Sequence, residues 1–575
     1  MATKQEAGVR KTTCLFLRPD AKCQMNDVAR QRSMIESTKV PEAGSKFPGI
    51  ASIVVFLIIL AIGAWFRFHD IGIKPLHHDE GVNSYFLINL ARFGEYKYDP
   101  TNYHGPMLYY FALISMKLMG ETELALRFWP ALFGMLTILL LWPLRTHLGR
   151  IGTPVAAILI ALSPGLVYFS RDFIHEMVFG CMTLGMVVGL LRYFESGAFR
   201  WILLFAVSTG LLLTTKETAV ITVSVFLLAI LSAYLVEKIR MLASRKTVEE
   251  SAGSADAMRF HRPTLDHLLS ASILIVFIYI FLYSSTFKNW QGVIDFFRSI
   301  WHWASQRGNR DHVHPFYYYL GMLIKLELPL LLGSALGGLI ILIRGTRFWL
   351  FSAAWTFGTL MAYSLIPYKT PWLMINFLIP MALLCGYAAE QIFRSLQHPA
   401  MKGAWAVILL GWIIFSGFIS YRLNFREYDD NRNPGGYFTE LGEKYKFKPY
   451  VDQQYGYVYA QTDRDLLELV KTLKAETDKL PSGDETGIYI ASPDYWPLPW
   501  YLRRYGKVAF SGSLNVVPGQ PISIQQQFII ANLNQQPLID GTPGWRLIQR
   551  SFALRPGVEL ILFERDDQSS ERKIQ

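Results

Sequence analysis

The chain has 575 residues, 51% of them hydrophobic and 14% aromatic, with only 18% charged, against about 25% charged residues in an average soluble domain. The apolar excess lies in long blocks, which argues against a soluble enzyme and for a protein that crosses a bilayer many times. The net charge of +11 does not point to nucleic acid, because Lys and Arg fall in the connections between those blocks, where anionic headgroups attract them.

Residues 1–47 are polar and lack the short apolar core of a signal peptide, so they read as a disordered cytoplasmic tail. Cys14 and Cys23 lie in this tail, while Cys181 and Cys385 lie in apolar segments. Their spacing gives no disulfide framework, redox pair or metal motif.

Residues 48–421 carry the apolar blocks, of which Ile50–Phe66, Val155–Phe169, Ala219–Val236 and Ser270–Tyr283 are four. Lipid offers bare backbone no hydrogen-bond partner, so each block is expected to be helical. Window length predicts about eleven spans, near 50–66, 128–144, 151–170, 173–191, 201–215, 218–236, 268–286, 316–343, 348–366, 372–389 and 404–421. The shorter segments Gly81–Phe93 and Pro106–Met119 are expected to lie along the interface. The fold class is therefore an all-α polytopic membrane bundle.

Residues 422–575 are of a different kind and read as a small exterior α/β domain. Thr462–Leu480 predicts a soluble amphipathic helix, and Gly487–Ala491 and Glu559–Glu564 predict strands. Connections 28–47, 145–150, 192–200, 237–267, 344–347 and 390–403 hold 18 basic residues against 13 in the other set. That bias places the amino terminus in the cytoplasm, and an odd number of spans then places 422–575 outside.

The polar residues of interest lie in the second, external set. The first connection contains His77-His78-Asp79-Glu80-Gly81, with two carboxylates at the start of an amphipathic helix, where the helix dipole favours them. The next is Ser170-Arg171-Asp172-Phe173-Ile174-His175-Glu176; Asp172 and Glu176 would share a face if a helix begins there. Acids at the membrane boundary mark functional cavities. Thr215-Lys216-Glu217 forms a third turn, equally readable as a surface ion pair. The loop 287–315 holds Trp290, Trp301, Trp303, Arg307, Arg310, Asp311, His312 and His314; its tryptophans fit an aromatic belt, and its His-x-His pair alone does not define a metal site. In Pro367-Tyr368-Lys369-Thr370-Pro371-Trp372 a lysine sits between two prolines, suited to rigid presentation of a cation to an anion or to snorkelling.

Taken in order, His77-His78-Asp79-Glu80-Gly81, Tyr103-His104-Gly105-Pro106-Met107-Leu108-Tyr109-Tyr110, Leu124-Ala125-Leu126-Arg127-Phe128-Trp129-Pro130-Ala131-Leu132, Ala161-Leu162-Ser163-Pro164, Ser170-Arg171-Asp172 and Leu213-Thr214-Thr215-Lys216-Glu217 resemble the protein O-mannosyltransferase and aminoarabinose-transferase type of C-fold glycosyltransferase. Within it they are most similar to the branch of flippase-activity-associated proteins. The resemblance covers roughly 67–220 and 361–390. It implies a C-type fold, a polyprenyl-phosphate sugar donor held in the membrane, and a glycan, lipid or protein acceptor arriving from outside. It implies Asp79 as catalytic base with Glu80 beside it, and Asp172 as the acid of the second loop. Arg127, Lys216 and Lys369 then match polar positions near the lipid phosphate, and His104, Glu176, Glu217, His314 and Tyr368 join them as substrate-binding candidates. A lysine is common in the family where His104 stands. Relatives of the oligosaccharyltransferase kind hold a divalent cation between paired acids; for this chain no metal ligands are assigned. The implied reaction is an inverting sugar transfer in cell-envelope or protein glycosylation. The alternative is a lipid-linked sugar flippase or its accessory protein, although no internal symmetry of the transporter kind is visible.

The topology has a direct test. In intact cells an impermeant thiol reagent is expected to label a cysteine placed at Ser482 and to spare one placed at Ser251; the reverse pattern would invert the orientation.

Overall fold

The structure, a computed structural model, describes residues 49–102, 104–245, 261–305, 312–426, 456–459, 461–514, 522–540, 542, 544–555 and 557–566. The tail 1–47, most of the 237–267 connection beyond 245, and Arg307, Arg310 and Asp311 lie largely or wholly outside the described residues.

The apolar blocks are helices, as backbone in lipid requires. In chain order these are α1 (Ile50–Phe68), α2 (His78–Phe93), α3 (Met107–Met119), α4 (Glu123–Leu139), α5 (Arg145–Leu162), α6 (Pro164–Ser170), α7 (Glu176–Ser196), α8 (Phe199–Leu213) and α9 (Ala219–Arg245). They continue with α10 (Leu265–Tyr283), α11 (Gln291–Ser305), α12 (Tyr318–Leu326), α13 (Leu328–Arg344), α14 (Arg347–Leu365), α15 (Ile375–Ser395) and α16 (Pro399–Asn424). Each of the eleven predicted spans falls on one of these helices or on a bent pair of them. Among the described residues, six helices are long and apolar enough to cross a membrane, or up to eight if each bent pair counts as one. Several of the rest, such as α4 and α8, are shorter than 18 residues. The short α2 and α3 occupy the first long connection, where the sequence placed interfacial helices.

Both bent pairs have local causes. Helix α5 ends at Leu162, and α6 starts 54° away, because Ser163 precedes Pro164 and adopts an extended ψ of 123°. Helices α12 and α13 meet at 110° around Glu327, which lies two residues before Pro329. The two breaks are tied together. The buried Glu327 carboxylate accepts from Ser163 Oγ (2.8 Å), the Gly165 amide (2.8 Å) and Tyr457 Oη (3.0 Å).

The C-terminal region forms a five-stranded sheet of order β2-β1-β3-β5-β4, with β1 (Ile488–Ala491), β2 (Val508–Ser511), β3 (Phe528–Asn532), β4 (Trp545–Arg555) and β5 (Val558–Arg565). Strands β1, β2 and β3 are parallel, and β5 and β4 close the sheet antiparallel. Helix α17 (Asp465–Thr477) buries Leu466, Leu469 and Leu473 against the face carrying Ile488, Ile490, Phe528 and Ile530. The opposite face buries Ile529, Ala531, Ile561 and Phe563. Burial on both faces explains the unbroken apolar run of β3.

This sheet domain grips the first connection of the bundle. Gln461 Nε2 donates to the Pro75 carbonyl (3.1 Å), and Tyr501 Oη accepts from the Leu76 amide (2.9 Å) and donates to Glu123 (2.8 Å). Arg503 pairs with Glu121 at 2.8 Å. Gly81 has no side chain because Pro497 lies on it; a Cβ there would come within 2.6 Å of the proline ring.

Tyr501→Phe removes one hydroxyl that serves two partners, the buried Leu76 amide and the partly buried Glu123. It is expected to cost about 1–3 kcal/mol, read as a lower thermal midpoint and faster proteolysis between bundle and sheet domain.

Candidate functional site

Helix α2 starts with a capping box: His77 Nδ1 accepts from the Asp79 amide, and Glu80 accepts from the His77 amide. The box fixes which acid faces inward. Glu80 is fully buried and forms a two-pronged ion pair with Arg127 of α4, with Nε–Oε1 and Nη2–Oε2 both at 2.7 Å. Its oxygens also accept from the Phe173 amide (2.7 Å) and the His77 amide (2.8 Å). Arg127 gives its remaining donors to the carbonyls of Ile71 (2.7 Å), Lys74 (3.0 Å) and Pro75 (3.2 Å). Four acceptances saturate a carboxylate and five N–H bonds saturate a guanidinium. In this structure the hydrogen-bonding positions of Glu80 and Arg127 are thus taken by each other and by backbone groups, and the pair ties α2 to α4 and to the 71–75 loop. Burial pushes the Glu80 carboxyl up, but the charge and hydrogen bonds of Arg127 outweigh it and hold the group below the usual range.

Asp172 sits in the turn before α7, which begins only at Glu176. The two acids consequently do not share a helical face, and each has its own cation. Asp172 pairs with Lys74, both buried, and the Lys74 ammonium also lies 3.8 Å above the Tyr168 ring. Burial pushes Asp172 up and Lys74 down, each toward its neutral form, with their mutual attraction offsetting only part. Arg171 holds this turn by donating to the carbonyls of Phe66, His69 and Asp70 at the end of α1. Asn83 adds a bond to the Phe173 carbonyl (2.8 Å).

Glu176 pairs with Lys216 at 2.6 Å, both largely buried. A short antiparallel bridge joins His104 to Lys216, with the Gly105 amide donating to the Thr215 carbonyl at 2.9 Å. His104 stacks on His175, ring centres 4.8 Å apart, and His175 Nε2 lies 3.1 Å from the Gly105 carbonyl. Burial holds the His175 imidazole down at about 3, helped by Lys216. Burial also pushes the Glu217 carboxyl up to about 8, against the pull of Lys216.

Lys369 is also buried. Its ammonium donates to the carbonyls of Ile366 (2.6 Å), His314 (3.0 Å) and Pro367 (3.5 Å), so no carboxylate cancels its charge in these contacts. His314 itself stacks on Tyr318 at 4.2 Å. His312 bonds to Tyr459 Oη (2.8 Å) and packs edge-on to the half-exposed Tyr368 (5.2 Å). The two histidines thus serve different partners. Tyr459 closes the circle, its carbonyl 2.6 Å from His77 Nε2. All these connections meet at one end of the bundle, as the sequence suggested.

Asp79 differs from the other acids. It is partly exposed in the first turn of α2, and among the described residues its carboxylate has no ion pair or hydrogen bond. Among the described residues, no three His, Cys, Asp or Glu side chains gather to hold a metal ion. A metal between Asp79 and Asp172 would have to displace Lys74, so the residues present do not fit one. Sequence reasoning missed the partners that only contact reveals, Lys74, His175 and Tyr459 above all; His175 stands inside a motif quoted above, and Lys74 lies three residues before another.

Residues 103–248 match the family of dolichyl-phosphate-mannose-protein mannosyltransferases. That range includes His104, Arg127, Asp172, Glu176, Lys216 and Glu217 and begins after Asp79. The fold is similar to ArnT from Cupriavidus metallidurans bound to undecaprenyl phosphate, with a TM-score of 0.57 and 14% identity over 90% of this chain and 98% of that one. It is also similar to the oligosaccharyltransferase AglB from Archaeoglobus fulgidus, in complex with an inhibitory peptide and a dolichol-phosphate. There the TM-score is 0.51 and the identity 14%, over 86% of this chain and 70% of that one. No curated protein sequence matches the chain. The family match and both folds agree with the C-fold glycosyltransferase resemblance of the ordered motifs.

The raised Glu217 carboxyl has a measurable sign. Its folded pKa near 8 lies above the unfolded value of about 4.3, so folding is favoured by protonation and stability is lost as pH rises through that window. Glu217→Gln keeps the neutral form. Its thermal midpoint in detergent is expected to match wild type at pH 4, below the unfolded pKa, and to exceed it at pH 9; parallel curves would show that Glu217 is not raised.

Proposed function

We propose that this chain is a membrane glycosyltransferase that moves a sugar from a polyprenyl-phosphate donor to an acceptor hydroxyl at the external membrane face. The amino terminus is then cytoplasmic and the C-terminal domain external. The observation that carries the reading is the division among the acids. Glu80, Asp172 and Glu176 are each paired with a cation, whereas Asp79 is left without a partner among the described residues. A carboxylate in water contact and free of a salt bridge can accept a proton.

In the proposed step the acceptor oxygen attacks the anomeric carbon and its proton passes to Asp79. The bond from that carbon to the phosphate oxygen breaks, and polyprenyl phosphate leaves with the electron pair. Attack opposite the leaving group inverts the anomeric centre. Phosphate is a good leaving group, so the site needs a base and a cation more than a strong acid. Lys369 suits the cation better than Lys216. Its contacts are to carbonyls, whereas Glu176 already balances Lys216.

Purified protein incubated with polyprenyl-phosphate sugars tests this through release of polyprenyl phosphate. Asp79→Asn is expected to slow release about 10²-fold or more with an unchanged thermal midpoint, because Asp79 packs against no buried partner. A wild-type rate would remove Asp79 as the base. No release by the wild-type chain from any donor would favour the flippase-accessory role.

A further inference from the structure

One of the contacts of the sheet domain with the helix that carries Asp79 is made by a loop with unusual chemistry. It follows β1, leaving the carboxyl end of a parallel strand that lies between β2 and β3. Open α/β sheets bind ligands at such strand ends, where the strand order reverses. The loop carries Asp494, Tyr495 and Trp496. Trp496 lies edge-on to Tyr85 of α2, ring centres 5.9 Å apart, and to His78 at 6.3 Å. Tyr495 follows Trp496 at 5.2 Å and Phe510 of β2 follows Tyr495 at 5.0 Å. Four aromatic rings thus run from the helix that carries Asp79 up to the outer edge of the sheet. Its two ends are the more open, Tyr85 at 46% and Phe510 at 41% exposure. Beside the strip Asp494 pairs with Arg555, and Arg555 Nη1 lies 3.1 Å from His78 Nδ1.

We infer that this strip is the acceptor subsite and that the acceptor it takes is a carbohydrate chain. The inference rests on the transferase reading above and deepens it. Ring faces carry negative charge, and the C–H bonds of a pyranose face, polarised by neighbouring oxygens, are complementary to them. The Asp494 carboxylate, with a side chain 40% exposed, accepts sugar hydroxyls, and the planar Arg555 fork donates to them. A lipid tail would require an unbroken apolar groove, which this charged pair interrupts. The His78 imidazole is held down at about 4, chiefly by burial. At neutral pH it is therefore an uncharged link between Arg555 and the helix start at Asp79. Trp496 of the strip touches His78, the residue before the proposed base, so a chain lying along the strip past Trp496 brings its terminal hydroxyl toward Asp79.

Saturation-transfer NMR on the full chain in nanodiscs, without donor, tests the subsite. The probes are cellotetraose, maltotetraose and mannotetraose, with a Ser/Thr-rich heptapeptide as competitor. At least one tetrasaccharide is expected to receive saturation from the wild-type protein. Trp496→Ala and Tyr85→Ala are each expected to weaken that binding about tenfold or more, and Trp496→Phe to retain it. Because Tyr85 is exposed on α2, its variant keeps the test valid if Trp496→Ala fails to fold. The subsite is refuted if no tetrasaccharide binds, if both alanine variants bind as wild type does, or if the peptide displaces the sugar. The two readings fail separately. A chain that binds sugar but never releases polyprenyl phosphate loses the transferase reading alone, and one that releases it but binds no sugar loses the subsite alone.

Discussion

The site depends on the buried ion pair between Glu80 and Arg127. Two charges taken out of water carry a desolvation cost of several kcal/mol each, and they remain buried only when every lone pair and N–H is satisfied. Here they are, by each other, by the His77 and Phe173 amides and by three carbonyls of the 71–75 loop. The pair therefore sets the path of the first connection, the start of α2 and the position of the second connection together. Removing one partner of such a pair typically costs about 3–5 kcal/mol, so this geometry is held firmly.

From that clamp follows the division of labour. Adjacent residues in the first turn of a helix point about 100° apart. Once Glu80 is turned inward to Arg127, Asp79 is turned outward to a partly exposed position. The same clamp fixes Phe173, so Asp172 faces Lys74 while Glu176, inside α7, faces Lys216. Positive charge is sorted likewise. Lys74 and Lys216 are matched by acids, and the contacts of Lys369 are with carbonyls.

The sheet domain belongs to this framework and is not an appendage. Its Gln461, Tyr501 and Arg503 hold the connection that Arg127 holds from inside. Its Tyr457 joins Glu327 and Ser163 where two membrane helices break. A bent helix in lipid leaves backbone groups unpaired unless a side chain satisfies them, and the Glu327 carboxylate does so for the Gly165 amide. Loops on both sides of the site are thus tied to rigid elements, which a reaction at a membrane surface needs if donor and acceptor are to meet in a fixed geometry.

The sequence by itself determined the membrane class, the helical segments, the separate α/β character of the C-terminal region and the gathering of polar residues at one end. These are legible because apolar length, strand composition and the order of motifs are local properties. The tertiary structure decided which acid is spent and which is left. Asp79 and Glu80 are neighbours with the same chemistry, and Arg127 is 47 residues from Glu80; nothing local separates the acid that is paired from the one that is not. It also decided that Lys74 faces Asp172. It broke two apolar blocks at Ser163 and Glu327, and it laid Trp496, more than 400 residues along the chain from Asp79, on the same helix. Those outcomes depend on which distant side chains meet in a dry interior, where an unpaired charge is costly, and that is settled only when the helices pack.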